Sequence, residues 1–243
     1  MELNGKVALV TGGARRVGRA LSLGLARAGA SVVVNYRDSA AEAASVVEEI
    51  RSLGGEAIAV RADLGVVDGV RGLIERTRSE LGRLDVLVNS AAVFVRRPFD
   101  EITETEWDRV LAINLKGPFF LSQAAAPLLR ETGGAIVNIG DLSALQAWPS
   151  FAHHAIAKAG LLHMTRVLAR ALAPAVRVNA ILPGNVLPPE GYEAEDWGTG
   201  GQDRVLTARE GEPADVVAAL LYLLGGDFLT GEVLVVDGGR RLL

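Results

Sequence analysis

Seven short apolar runs, each separated from the next by a helix-forming stretch, leave this chain few folds to choose from. The runs are Val7–Val10, Ser31–Tyr36, Glu56–Arg61, Leu84–Asn89, Gly134–Ile139, Val176–Ile181 and Glu232–Val236, and none shows a clean polar alternation. Strands of that kind are buried on both faces, as in a parallel sheet covered by helices. The intervening segments Arg16–Ala28, Ala40–Leu53, Val67–Leu81, Glu104–Arg130, Pro149–Ala173 and Pro213–Leu224 read as helices. Thr103 to Glu106 forms a capping-box pattern ahead of the fourth of them. A strand-plus-helix period of roughly 25–30 residues suits right-handed crossovers. The expected architecture is therefore α/β: a doubly wound, seven-stranded parallel sheet with helices on both faces, in a single domain over residues 1–243.

The first strand runs into Thr11-Gly12-Gly13-Ala14-Arg15-Arg16-Val17-Gly18. A glycine-containing turn that opens a helix presents unpaired backbone N–H groups and partial positive charge, which together attract phosphate. Composition excludes other chemistries. A net charge of −4 with no dominant basic patch argues against nucleic acid, and no apolar run reaches the ~20 residues that cross a bilayer. With zero cysteines there are no disulfides and no thiol chemistry, which fits a cytoplasmic protein. The three histidines cluster in 152–164 without a metal-ligand spacing, so no metal is expected. Of 25 basic residues only Lys6, Lys116 and Lys158 are lysine, which makes each lysine a choice needing a reason.

Two of the helices carry more apolar surface than a sheet can cover. Val110, Leu111, Leu115, Phe119, Phe120 and Leu121 on one, and Ile156, Leu161, Leu162, Met164, Val167 and Leu168 on the other, fall on more than one face. A second copy of the chain is the simplest cover, giving a homodimer or homotetramer through these two long central helices. The one long irregular stretch, 185–212, reads as a mobile substrate loop.

With Leu87-Val88-Asn89-Ser90-Ala91-Ala92 the pattern resembles the short-chain dehydrogenases/reductases, and the resemblance runs over essentially the whole chain. Thr11-Gly12 through Gly18 matches the family's cofactor loop, Asp63-Leu64 the acid that meets adenine, and Asn89-Ser90-Ala91 its Asn-Asn-Ala segment. Asn114 stands where the family has its helix-breaking active-site Asn, Pro183-Gly184 beside the nicotinamide, and Val235–Gly239 at the C-terminal signature. The resemblance implies a Rossmann-type fold. Within the family the chain is most similar to the pteridine reductases, through Arg16 in place of a middle Gly, the Asn35–Ala43 segment and Phe94, where that group stacks an aromatic on the pterin. Ala92 departs from the polar residue of that group, which keeps a 3-oxoacyl or other ketone substrate open.

An NAD site wants an acid at the end of the second strand for the ribose hydroxyls. Here Asn35 stands there, with Arg37 and Ser39 just beyond and Arg15 and Arg16 opposite, a receiver suited to the extra phosphate of NADP(H). Asp38 opposes this unless it points to solvent or pairs with an arginine. The expected cofactor contacts are Gly12, Arg15, Arg16, Val17, Gly18, Arg37, Ser39, Asp63, Leu64, Asn89, Ser90, Ala91, Lys158, Pro183 and Gly184.

Family members place a Tyr and, four residues later, a Lys on one helix face. Here Lys158 is present but His154 fills the Tyr slot, and Asp141 fills the usual Ser slot, as it does in the pteridine reductases. A protonated imidazole, with an ordinary pKa near 6.5, is a competent general acid. The resemblance makes Asn114, Asp141, His154 and Lys158 the proton-handling set, with Phe94, Asp141 and Tyr192 on a small-molecule substrate. Two alternatives stand beside this: a dinucleotide-binding protein that has lost its acid, or a proton supplied by Tyr192 from the long loop.

Overall fold

The computed structural model describes residues 1–188 and 205–243. Tyr192 and the central part of the 185–212 loop lie outside the described residues. Seven parallel strands form one sheet in the order β3-β2-β1-β4-β5-β6-β7. They are β1 (Val7–Val10), β2 (Ser31–Tyr36), β3 (Ala57–Arg61), β4 (Val86–Asn89), β5 (Ala135–Ile139), β6 (Arg177–Pro183) and β7 (Val233–Val236). The chain starts at β1, winds outward to β3, returns to pair β4 against β1, then winds the other way. The β1/β4 boundary is thus the switch point where the two halves diverge and a crevice opens beyond the strand ends.

One face of the sheet is covered by α1 (Arg16–Arg27), α2 (Ala40–Ser52) and α7 (Pro213–Gly225), the other by α3 (Val67–Leu81), α5 (Gly117–Thr132) and α6 (Ala152–Leu172). β1, β4 and β5 are buried along their whole length, as expected for strands covered on both sides. α4 (Glu104–Leu111) starts at the Thr103–Glu106 capping box, both halves of which are formed. The helix expected over Glu104–Arg130 is not uniform: a π-helical turn at Ala112–Lys116 separates α4 from α5 and holds Asn114. Such a turn widens the helix by one residue and re-aims a side chain, a device common at functional sites.

The two apolar stripes on the long helices are resolved by burial. Val110, Leu121, Leu161, Leu162, Met164 and Leu168 face inward, whereas Phe119, Ile156 and Val167 are exposed. No helix among the described residues is long and apolar enough to cross a membrane.

Leu87, in the middle of β4, is fully buried in the core beneath α3, α5 and α6. Leu87→Ala is expected to lower unfolding free energy by about 2–5 kcal/mol, read as a shift in the urea midpoint. His153, in the first turn of α6, is fully buried and neither ring nitrogen has a hydrogen-bond partner among the described residues. Burial, with His154 and Arg97 adding to it and Glu106 opposing, holds its pKa below the ordinary imidazole value. The folded state therefore resists the proton that the unfolded chain accepts below about pH 6.5. Stability is complete above that pH and falls as pH drops toward the folded-state value. The urea midpoint is expected to fall between pH 7.5 and 5.5 in the native chain and to fall less in His153→Leu. Equal slopes would remove His153 as the cause.

Candidate active site

A cleft of about 610 Å³ runs across the carboxyl ends of β1, β4 and their neighbours, with a cationic end and an acid–base end. At its centre is the turn from β1 into α1. Gly12 takes a positive φ of 61°, and a Cβ on Gly18 would stand 2.1 Å from the Gly12 carbonyl oxygen, so only glycine closes this turn. Ser22 ties it down, its hydroxyl donating to the Gly13 and Gly18 carbonyls, while Thr11 Oγ1 accepts the N–H groups of Ser90 and Ala91. The first turn of α1 has no acidic residue and its N-cap, Arg15, makes no side-chain cap. Ala14 to Gly18 line the cleft at this helix start, with basic residues and no acid in the first turn, a setting that suits an anion.

Arg15, Arg16, Arg37 and Ser39 all line the cationic end. Arg16 is held at φ 53°, an uncommon conformation for a side-chain-bearing residue, and its guanidinium donates to the Pro188 carbonyl. Asp38 is paired: Arg37 Nε donates to its Oδ2 at 2.6 Å. The strand-end asparagine also lines the cleft. Asn35 is buried, and its amide bridges the Gly12 N–H to the Val60 and Ala62 carbonyls, so it braces the glycine turn against β3. Asp63 Oδ1 accepts the Gly65 N–H and, with Leu64, lines the cleft.

Of the Asn89-Ser90-Ala91 segment, Ser90 and Ala91 line the cleft but Asn89 does not. Asn89 is buried in the sheet, donating to Asn138 Oδ1 at 2.8 Å, and Asn138 donates in turn to Thr165 Oγ1 at 2.9 Å. It is a cross-strand brace that couples β4, β5 and α6. Gly12, Val17, Gly18, Pro183 and Gly184 also line the cleft.

At the other end α6 brings His154 and Lys158 to one face, one helical turn apart. His154 Nε2 lies 2.7 Å from Asp141 Oδ2, and its Nδ1 lies 3.1 Å from the Val93 carbonyl and 3.2 Å from Asn114 Nδ2. Asp141 Oδ1 accepts the Ser143 N–H at 2.9 Å and the Ser143 hydroxyl. Lys158 is buried and donates to the Ile139 carbonyl at 2.8 Å. Burial favours the neutral form of Asp141, but the His154 hydrogen bond, the Lys158 charge and Ser143 outweigh it and hold the carboxyl well below the usual carboxylate range. Burial lowers the Lys158 pKa, against the opposing pull of Asp141. The accessible member of the pair is the acid: the Asp141 side chain is 24% exposed and that of His154 2%.

Asn114 does not line the cleft; it lies buried behind Val93 and His154. Phe94 does line it, stacked on Phe151 at 4.3 Å and edge-on to His154 at 4.8 Å, with Trp148 beyond. Sequence reasoning missed three of these partners. Val93 and Ile139 act through backbone atoms, which leave no side-chain signal. Ser143, two residues past Asp141, is the recognisable pattern of an Asx turn. Among the described residues no three metal-ligating side chains converge.

Comparison with known proteins agrees with this geometry. Residues 12–241 match the family model described as Enoyl-(Acyl carrier protein) reductase. The chain is 38% identical to an oxidoreductase of Methylorubrum extorquens, over 99% of each chain. It is 36% identical to the 3-oxoacyl-[acyl-carrier-protein] reductase of Staphylococcus aureus, over 98% of each. The crystal structure of a short chain dehydrogenase from Burkholderia cenocepacia in complex with NADP superposes with a TM-score of 0.91 at 35% identity, covering 99% of this chain and 100% of that one. On motif order, sheet topology and these likenesses together, the chain belongs to the short-chain dehydrogenase/reductase family.

Proposed function

We propose that the protein is an NADP(H)-dependent oxidoreductase that reduces the carbonyl group of a small ketone. The observation that carries this reading is one cleft with arginines at one end and the Asp141–His154–Lys158 cluster at the other. The residues present fit a phosphorylated dinucleotide. The opening of α1 after the Gly12–Gly18 turn would take the pyrophosphate, and Arg15, Arg16, Arg37 and Ser39, which line the same end of the cleft, would take the extra phosphate. Asp63 and Leu64 would border the adenine, Ser90, Ala91, Pro183 and Gly184 the nicotinamide half, and Lys158 the nicotinamide ribose. When bound, the nicotinamide supplies the hydride.

The chain's own residues handle the proton and the substrate. The Asp141–His154 pair holds a proton between carboxylate and imidazole next to the cleft, positioned to neutralise an alkoxide oxygen. The ammonium form of Lys158 behind it would stabilise negative charge developing on that oxygen. Phe94 gives an apolar wall with one ring face already covered by Phe151. The 36% identity to a 3-oxoacyl reductase supports a ketone substrate. The C=N bond of a pterin is the second reading, favoured by Phe94 and by an acid at Asp141. A second copy of the chain packing on Phe119, Ile156 and Val167 would cover the apolar stripe left exposed on α5 and α6.

The test is steady-state NADPH oxidation over a panel of ketones, 3-oxoacyl thioesters and dihydropterins, alongside thermal shifts with NADPH and NADH. NADPH is expected to raise the melting temperature more than NADH, and at least one ketone to turn over. His154→Ala is expected to lower kcat. Arg37→Ala removes a charge-assisted contact of about 1.5–3 kcal/mol, so the preference for NADPH should fall about tenfold or more. A stronger shift with NADH would overturn the cofactor assignment. Binding of NADPH with no turnover of any substrate would leave a dinucleotide-binding protein without catalysis.

A further inference from the structure

His154 Nδ1 faces a hydrogen-bond donor and an acceptor at once, and Asn114 decides which of them it answers. The Val93 N–H donates to Asn114 Oδ1 at 2.8 Å, and Asn114 Nδ2 donates to the Val93 carbonyl at 2.8 Å. A backbone N–H can only donate and a carbonyl can only accept. The carboxamide therefore has one possible orientation, because the flipped amide would oppose donor to donor and acceptor to acceptor. Its second amide hydrogen is left for His154 Nδ1, 3.2 Å away. In the neutral ring that hydrogen calls for a bare Nδ1, and the Asp141 carboxylate at Nε2 calls for the same tautomer. The ring hydrogen sits on Nε2, directed at Asp141 Oδ2 2.7 Å away, on a carboxylate that is ionised.

The same pocket accepts the protonated ring without moving it. A proton added at Nδ1 finds the Val93 carbonyl at 3.1 Å, while Nε2–H stays on Asp141. The π turn at Ala112–Lys116 makes this possible by bringing Asn114 beneath the ring from the neighbouring helix. We propose that Asn114 is a positioning residue that, together with the Asp141 carboxylate, fixes the tautomer of the neutral His154 ring, with Nε2–H on Asp141 and Nδ1 bare. Among the described residues, the titratable groups around the ring are Asp141 from the β5 exit and, on its own helix, Lys158 beside Asp141 and the neutral His153. Glu106 of α4 and Arg97 of the preceding segment bear on His153. None of these contacts Nδ1, so the balance there lies between Asn114 and Val93.

The part this plays in turnover rests on the reductase reading. The placement of the ring proton does not, and its test needs neither substrate nor cofactor. The probe is protein carrying 15N-labelled histidine. With three histidines in the chain, the His154 signals are identified as those lost in His154→Gln. In native protein above the imidazole titration, long-range 1H–15N correlation is expected to show a protonated Nε2 and a bare Nδ1. In Asn114→Asp the donor is replaced by a charged acceptor. The ring should stay doubly protonated to a pH about one to three units higher. A neutral native ring protonated at Nδ1 would overturn the proposal, as would an unchanged titration in Asn114→Asp. Should Asn114→Asp fail to fold, the native spectrum still decides the tautomer.

Discussion

Seven strands running in one direction place all their carboxyl ends along one edge of the sheet, and everything chemical in this molecule follows from that constraint. The sheet reverses its winding between β1 and β4, so the connections from those two strands leave in opposite directions and open a cleft. The glycine turn stands on one side of that opening and the segment after β4 on the other. The close approach of Gly18 to the Gly12 carbonyl brings α1 tightly against β1 and turns its amides toward the gap. β5 and α6 then extend the same edge and supply Asp141, His154 and Lys158.

The buried charges at that edge support one another. An isolated carboxylate or ammonium at such depth would give up its charge. Asp141 keeps its charge because an ammonium, an imidazole, a hydroxyl and a backbone N–H converge on it. Lys158 has one backbone carbonyl and the field of Asp141. The Asn89–Asn138–Thr165 chain lies deeper in the same layer and ties the strands to α6, so the helix that carries two of the four groups is fixed to the sheet by polar bonds as well as by apolar packing.

Much of this was legible in the sequence. Unalternating apolar runs gave a parallel sheet covered on both faces, because only buried strands can afford them. The scarcity of lysine singled out Lys158, and helical spacing set His154 on its face. What could not be read was which way a polar side chain at a strand end turns. Asn35 and Asn89 both lie at carboxyl ends, where a ligand contact is plausible, yet both turn into the sheet to satisfy backbone and side-chain partners. The role of Asn114 was hidden for a different reason: its partners are the main chain of Val93 and a ring from another helix. The widened turn that brings them together has no residue signature of its own.

Phe151 stands at the mouth of α6, its ring stacked on Phe94 and its backbone forming the helix N-cap. The wall that a substrate would press against is thus mechanically continuous with the first turn of the helix bearing His154. Phe94 also meets the His154 ring edge-on, so the aromatic wall of the cleft and the imidazole share one packed cluster at the start of α6.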